Sequence, residues 1–294
     1  MAYNADDHIT DGDADEPSPR YGSQQMRAAV AALSPRHRHA FRLIAEHGVF
    51  DVTGMALLLN VSRSSARRVL VDLTAVGALA PPNPRQERRL HETRRYTLSR
   101  IARTAMIEHQ QHRDGAVPPD MTETSVRDQQ YAINQVFVDL VAYGRIHGRA
   151  ELFRWRRPAE TRRLRHSRDV TYPWCDGYGI WIEDGTAITV ALHWMAEITE
   201  VTDELACEVL CAQYATPTPV SLALVVCASW ADELVMHGHL VTHPATPVVA
   251  TTTASMMGDQ AGGAATAVWA KTADAVRGTR ERLIPMPADR TATQ

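Results

Sequence analysis

This 294-residue chain has almost no lysine and no long apolar run. Lys271 is its only lysine, so the glycine-rich stretch at residues 258–263 lacks the lysine of a P-loop, and it also lacks a strand–helix context. No run approaches about eighteen apolar residues, and the start of the chain is acidic and polar. These absences argue against a membrane span and a signal peptide, so we expect a cytoplasmic protein with no membrane partner.

Cysteine is scarce as well, with four residues at positions 175, 207, 211 and 227 among apolar neighbours. Cys207 and Cys211 are one helical turn apart and could share a metal, but no further ligand with zinc spacing lies near them, which favours buried thiols. Ser221 and the serines at 62–65 have no inferable histidine–acid partner. The sequence therefore predicts no catalytic, metal or cofactor-binding residue, and no enzyme.

Positive charge is concentrated in one region, although the net charge is only −3. Residues 1–20 hold six acidic residues against Arg20 alone. Residues 34–108, by contrast, hold thirteen arginines against six acidic residues, an excess of seven positive charges. A positive excess of this size in one small domain is typical of a protein that binds nucleic acid.

The same basic region has the element order of a winged helix-turn-helix. Ser34-Pro35 is a capped helix start, and Gly48 ends that helix. A short second helix is predicted over 53–59, and Ser62 caps a third that turns an apolar stripe inward (Ala66, Val69, Leu70 and Leu73). Residues 78–80 and 95–98 are predicted to pair as a hairpin. A helical hairpin with a solvated basic face is the alternative.

Two groups of residues are predicted to contact double-stranded DNA. The third helix presents Ser62, Arg63, Ser64, Arg67 and Arg68 outward, where guanidinium groups can bind phosphate or pair with guanine. The hairpin tip carries Arg85, Arg88, Arg89 and Arg94, which suit contacts with the sugar-phosphate backbone or the minor groove.

The second half of the chain predicts an α/β sandwich around a mixed sheet. A helix from Ser125 to about Gly144 precedes a strand at 151–155, an arginine-dense loop and a hairpin that turns at Asp184-Gly185. The remaining pattern predicts helices over 201–214, 229–237 and 265–282, and strands over 220–227 and 248–253.

The fold class is thus α+β, with an N-terminal winged helix followed by the sandwich. The predicted divisions are an acidic, largely disordered segment with a short helix (1–33), the winged helix (34–108), a linker (109–124), the α/β domain (125–257) and a C-terminal helix with a frayed tail (258–294).

Several short motifs resemble the replication-relaxation family of actinobacterial plasmids and integrative elements. They are Arg42–Gly48, Arg67–Leu73, Gln130–Leu140, Phe153–Trp155, Asp176-Gly177, and Thr199-Glu200 leading into a helix that ends at Tyr214. The resemblance implies a role in plasmid replication, relaxation or conjugative transfer. It also implies a second domain similar to the PD-(D/E)xK nuclease (restriction-endonuclease-like) fold, in which acidic residues and a lysine hold a metal and supply a catalytic ammonium.

The expected nuclease residues are mostly missing. Asp176 stands where the first acid would fall, but Cys175 replaces the proline before it, and residues 190–195 contain neither a carboxylate nor a lysine. Because Mg²⁺ needs converging oxygen ligands, a single acid holds it poorly. We expect a degenerate, non-catalytic domain, in which Asp176 stabilises the turn with Gly177 and His193 is structural.

Three functions are compatible with the sequence. The leading one is a sequence-specific DNA-binding protein of a mobile element, acting in replication, relaxation or transfer, or regulating those genes. The second is a cellular transcription regulator whose α/β domain senses a small ligand. The third is an active metal-dependent nuclease. A homodimer and contacts with replication or transfer proteins remain open.

Overall fold

The computed structural model describes residues 19–81, 94–111, 118–156, 174–195, 200–215, 218–242, 247–259, 263–266, 268–271 and 279–282. In the first part of the chain the helices are α1 (Pro19–Ala32), α2 (Pro35–His47), α3 (Val52–Leu59), α4 (Arg63–Ala75) and α5 (Arg100–Gln111). The strands there are β1 (Val49–Asp51) and β2 (Arg95–Thr97). The three helices predicted in the basic region are confirmed, and α1 is the short helix predicted within residues 1–33.

Local capping explains where these helices begin and end. Pro35 occupies the first turn of α2, which ends at Gly48 with φ of 87°. The side chain of Asp51 accepts a hydrogen bond from Gly54 N at 2.6 Å at the start of α3. Asn60 then adopts the left-handed conformation that ends α3. Short capped helices therefore follow one another with little intervening chain.

Three extended segments pack beside these helices. Leu79 forms an antiparallel bridge with Leu98, as the predicted hairpin requires. Strand β1, which pairs antiparallel with β2, is not predicted by the sequence pattern. Its three residues are too few to show strand alternation, and they sit between two helices; burial of Phe50 and pairing along β2 hold them extended.

The second part of the chain forms a six-stranded sheet with the order β3-β4-β5-β6-β7-β8. The strands are β3 (Ala150–Arg156), β4 (Gly177–Glu183), β5 (Thr186–Met195), β6 (Leu222–Cys227), β7 (Val248–Thr253) and β8 (Ala270–Lys271). The pairs β5–β6 and β6–β7 are parallel and the others antiparallel. The mixed sheet is thus confirmed, as is the β4–β5 turn, where Asp184 and Gly185 have φ of 48° and 78°.

Helices cover both faces of this sheet. They are α6 (Thr124–His147) on one face, α7 (Glu200–Tyr214) and α8 (Trp230–Thr242) on the other, and the short α9 (Ala254–Asp259) after β7. Alternate residues of β6 enter the two cores, Leu224 facing the α6 side and Val225 the α7 side. On the α6 side, a Cβ at Gly177 would lie 2.5 Å from Phe137, so close packing of α6 requires glycine there.

The predicted C-terminal helix over 265–282 is wrong for the residues that the structure describes there. Gly263–Ala265 form one 3₁₀ turn, β8 pairs with β7, and Trp269 bridges Glu281. The alanine-rich sequence favours a helix locally, but Trp269 is fully buried in the sheet core and its indole nitrogen donates to Ala264 O at 2.7 Å. Tertiary burial overrides helix propensity here.

A buried polar network joins this C-terminal segment to the sheet. Arg280 donates to both carboxylate oxygens of Glu233, at 2.8 and 2.5 Å, and to the carbonyl of Val268 at 3.0 Å. The hydroxyl of Thr251 donates to Glu233 at 2.6 Å and hydrogen-bonds His237 Nε2 at 2.6 Å. The side chain of Glu233 is only 2% exposed, so Arg280 is the charge that makes its burial tolerable.

Helix α6 connects the two parts of the molecule. Asn134 donates to the carbonyls of His47 and Val49, each at 2.8 Å. The Trp155 ring of β3 stacks on His47 at 3.7 Å between centroids and on Phe137 at 5.0 Å. Residues 118–123 of the predicted linker lead directly into α6, which contributes Phe137 to the core of the sheet and Val138 to the core of the first part; the domain boundaries themselves stay a prediction.

Candidate nucleic-acid interface

Helix α4 has one buried and one exposed face. Ala66, Val69, Leu70 and Leu73 are buried, as the sequence predicts. The Ser62 side chain accepts from Ser65 N at 3.2 Å, which caps the helix. Its hydroxyl also lies 3.0 Å from the Ser64 hydroxyl and 2.9 Å from that of Ser65. Ser62 therefore fixes the start of the helix that carries the basic side chains.

The exposed face of α4 carries Arg63, Arg67 and Arg68. None of these guanidinium groups forms a hydrogen bond or ion pair with another described residue. Asp72 lies one turn beyond Arg68 on α4, but its carboxylate is 3.1 Å from His37 Nε2. The acid nearest in sequence is thus engaged elsewhere, and three cationic groups remain available to an external anion.

A cleft of about 570 Å³ between the starts of α2 and α4 extends this basic face. It is lined by residues 34–37, Ser64, Ser65, Arg68 and Val69. Arg36 thereby lines the same cleft as Arg68, although it was not among the residues predicted to contact DNA. The only sequence signal for Arg36 is that it is one of the thirteen arginines of the basic region. Its position in the cleft depends on the fold, which brings together residues about thirty positions apart.

His37 supports this cleft through both ring nitrogens. Nδ1 lies 2.6 Å from the Ser34 hydroxyl, and Nε2 lies against Asp72. The imidazole therefore ties the start of α2 to the side of α4, a structural contact that the sequence did not predict.

The predicted hairpin-tip arginines fall largely outside the described residues. Arg85, Arg88 and Arg89 lie there, whereas Arg94 is described and exposed. Arg95, counted in the basic region, forms an ion pair with Asp128 and lies 4.3 Å over the Tyr131 ring. It belongs to the contact between β2 and α6, and its charge is already compensated.

The sheet brings no second acid to Asp176 among the described residues. Asp176 Oδ2 accepts from Trp194 N at 2.7 Å, across the β4–β5 pair, so the prediction that it stabilises the turn at Gly177 is wrong in its partner. Burial raises the pKa of this carboxyl. Within the described residues no three histidine, cysteine or acidic side chains are grouped as metal ligands.

The polar and sulfur groups nearby are buried in the sheet core. His193 Nε2 lies 2.7 Å from the Tyr214 hydroxyl, and burial lowers the pKa of His193 to about 3. All four cysteines are buried and outside any disulfide. These groups pack the interior of the sheet domain.

Acid should destabilise the fold through His193. The unfolded histidine takes up its proton below about pH 6.5, whereas the folded one resists protonation until about pH 3. The unfolded chain therefore binds more protons in this window, and the free energy of unfolding falls as the pH is lowered through it, by up to about 1.4 kcal/mol per pH unit. Urea unfolding at several pH values measures this slope.

The matched comparison is His193→Gln, which keeps a hydrogen-bonding side chain and removes the titration. Its unfolding free energy should depend less steeply on pH between about 6 and 4 than that of the parent. Equal slopes would show that His193 is not held neutral by burial.

Comparison with protein-family models matches residues 41–214, more than half of the chain, to the replication-relaxation family. The curated proteins and the solved structures each give no match. Among the helices described, none combines the length and apolar character needed to cross a membrane. The matched range contains α4, with the side of the basic cleft that α4 lines, and the sheet as far as α7; residues 34–37, which line the other side of the cleft, precede it.

Proposed function

Because the chain belongs to the replication-relaxation family, we propose that it is a DNA-binding protein of a mobile genetic element. It acts in plasmid replication, relaxation or transfer, or regulates those genes from the cytoplasm. The observation that carries this proposal is the exposed face of α4, where Arg63, Arg67 and Arg68 lack partners among the described residues. Sequencing of the genomic fragments that the purified protein retains tests the proposal.

In this proposal residues 34–108 form a winged helix whose α4 enters the major groove. Support comes from the order of α2, α3 and α4, and from the small sheet formed by β1, β2 and the Leu79–Leu98 bridge. Arg63 and Arg67 are one helical turn apart, so they reach successive base edges or phosphates. Arg36 and Arg68 in the cleft between α2 and α4 hold the adjacent phosphate backbone.

The hairpin tip is expected to add affinity without sequence preference. Replacing Arg85 and Arg88 by glutamine should weaken specific and random DNA alike, because backbone contacts carry no sequence information. The slope of log K against log salt should fall in magnitude by roughly 2. Fluorescence anisotropy at four salt concentrations measures it. An unchanged slope together with lost specificity would contradict this assignment, and would show that the hairpin contacts bases and α4 contacts the backbone.

The sheet is proposed to be a non-catalytic relative of the PD-(D/E)xK fold. Its mixed order and the position of Asp176 before β4 support the relationship. The Asp176 carboxylate accepts a hydrogen bond from Trp194 N, and β5 contains neither a second acidic residue nor a lysine. A metal-dependent hydrolysis would need converging oxygen ligands, and no group of three such ligands occurs among the described residues.

Asp176→Asn is accordingly expected to change neither DNA affinity nor cleavage. Asparagine keeps an oxygen that can accept from Trp194 N, so the fold is preserved. Supercoiled plasmid incubated with Mg²⁺ or Mn²⁺ should stay intact with the parent and with the variant. Nicking by the parent that disappears in the variant would make the protein a nuclease.

A further inference from the structure

A cavity of about 320 Å³ lies where the chain passes from α5 to α6, at the contact between the two parts of the molecule. Its polar lining includes Arg100, Arg103, Asp120 and Arg127, and its apolar lining includes Ile44, Leu98, Pro119 and Met121. We propose that this cavity binds a small organic anion, a carboxylate or phosphate on an apolar body, as an effector site separate from the DNA-binding face.

The charge of the lining selects an anion. The lining contains three arginines and one carboxylate, and Asp120 Oδ2 lies 3.0 Å from Arg103 Nη1. Hydrogen bonds from Thr122, with Arg103 nearby, lower the pKa of Asp120, so this acid is ionised and neutralises one arginine. Two positive charges remain uncompensated among the described lining residues, and a dianion would match them.

The arginine side chains also present unused donors. The Nε atoms of Arg103 and Arg127 are buried and have no hydrogen-bond acceptor among the described residues. Buried donors of this kind are rare in folded proteins because they have lost water without gaining a partner. Arg127 Nη2 donates to Thr124 Oγ1 at 3.3 Å, and no other hydrogen bond of this guanidinium is found among the described residues.

The apolar part of the lining indicates what kind of molecule carries the anionic group. Ile44, Leu98 and Met121 supply an apolar wall, and the volume lies at the lower end of the range for small-molecule pockets. Gly48 keeps the wall close, since a Cβ there would lie 3.0 Å from both Met121 and Pro119. A planar ring or short alkyl group with one anionic substituent fits this combination.

The site contacts elements on both sides of the molecule. Arg100 and Arg103 lie on α5, whereas Arg127 lies on α6, the helix that packs against the sheet. A ligand held by all three arginines therefore bridges the basic region and the second part of the chain. Binding of the ligand would then change the contact between these two parts of the chain. This inference does not depend on the proposed DNA-binding function.

Isothermal titration of the full chain with phenyl phosphate, benzoate, inorganic phosphate and phenol tests the proposal. At least one of the two aromatic anions should bind with saturation and more tightly than inorganic phosphate, and phenol should not bind. In Arg100→Gln/Arg127→Gln the Kd of that anion should rise at least tenfold. The control Arg149→Gln, an exposed arginine outside the lining, should bind as the parent does.

Methyl-labelled methionine locates the ligand without relying on a variant. The Met121 resonance should shift on titration, whereas that of Met55, buried in the first core away from the lining, should not. Binding by none of the anions, equal affinity in the arginine double variant, or an unmoved Met121 resonance would each overturn the proposal. Displacement of the anion by duplex DNA that persists in Arg63→Ala/Arg67→Ala would also overturn it, because it would assign the cavity arginines to the DNA backbone rather than to an effector coupled to α4.

Discussion

Arg63→Ala and Arg67→Ala are each expected to weaken binding to the preferred DNA site by about fivefold to 150-fold. This range corresponds to about 1–3 kcal/mol, the contribution of one arginine that pairs with a guanine. Both side chains are exposed and project from a helix that Ala66 and Leu70 anchor in the core, so truncation removes the contact and leaves the fold intact. Fluorescence anisotropy with the specific duplex and a random one measures the loss.

Arg149→Ala is the matched control, because Arg149 is exposed and lies between α6 and β3, far along the chain from α4. It should bind both duplexes as the parent does. If the α4 variants weaken the specific and the random duplex by the same factor, their arginines contact phosphate. If they weaken neither, α4 is not the helix that reads DNA.

Arg280→Met is expected to lower the free energy of unfolding by about 3–5 kcal/mol, the largest effect on stability that we predict. The substitution leaves the Glu233 carboxylate buried without its cation and removes donors to Val268 and Thr251. It also frees the segment that pairs Trp269 with Glu281. Urea unfolding, followed by tryptophan fluorescence, measures the change.

The double variant Glu233→Leu/Arg280→Met separates charge from packing. Because both charged partners are gone, it should regain much of the lost stability, as happens when buried ion pairs are replaced by apolar side chains. Exposed Arg149→Met should change stability by no more than about 0.5 kcal/mol. A double variant as unstable as Arg280→Met would show that packing of the Arg280 stem, rather than an unpaired carboxylate, causes the loss.

Local sequence signals predicted most elements of this fold. Helix α4 needed only the Ser62 cap and an apolar stripe at helical spacing, and the β4–β5 hairpin needed only Asp184-Gly185. The continuous apolar run of β6 indicated a strand buried on both faces, and α6 and α7 cover those two faces. In each case the residues that define the element lie within a few positions of one another.

The errors came from contacts between distant residues. Strand β1 is held by β2, more than forty positions later, and β8 is held by β7 against the helix propensity of its alanines. Asp176 bonds to a backbone nitrogen on the next strand, which a turn motif does not reveal. The network around Glu233 and the arginine-lined cavity are each built from residues far apart in the sequence, and none of these residues belongs to a recognisable local motif.

The candidate interface was predictable only in part for the same reason. Arg63, Arg67 and Arg68 follow from the burial pattern of a single helix. Arg36 lies near them only because α2 packs beside α4. Arg95 is not available to DNA, because it forms an ion pair with Asp128 of α6. Charge counting located the basic region but could not distinguish its free arginines from its paired ones.

Capture of genomic DNA by the purified protein, followed by sequencing, tests the central claim most directly. The source genome is sheared, incubated with the parent or with Arg63→Ala/Arg67→Ala, and the retained fragments are counted. The parent should enrich a small set of sites sharing one sequence, near replication, relaxation or transfer genes, and the double variant should lose that enrichment. Retention of no DNA, or the same uniform coverage with both proteins, would contradict sequence-specific DNA binding by α4.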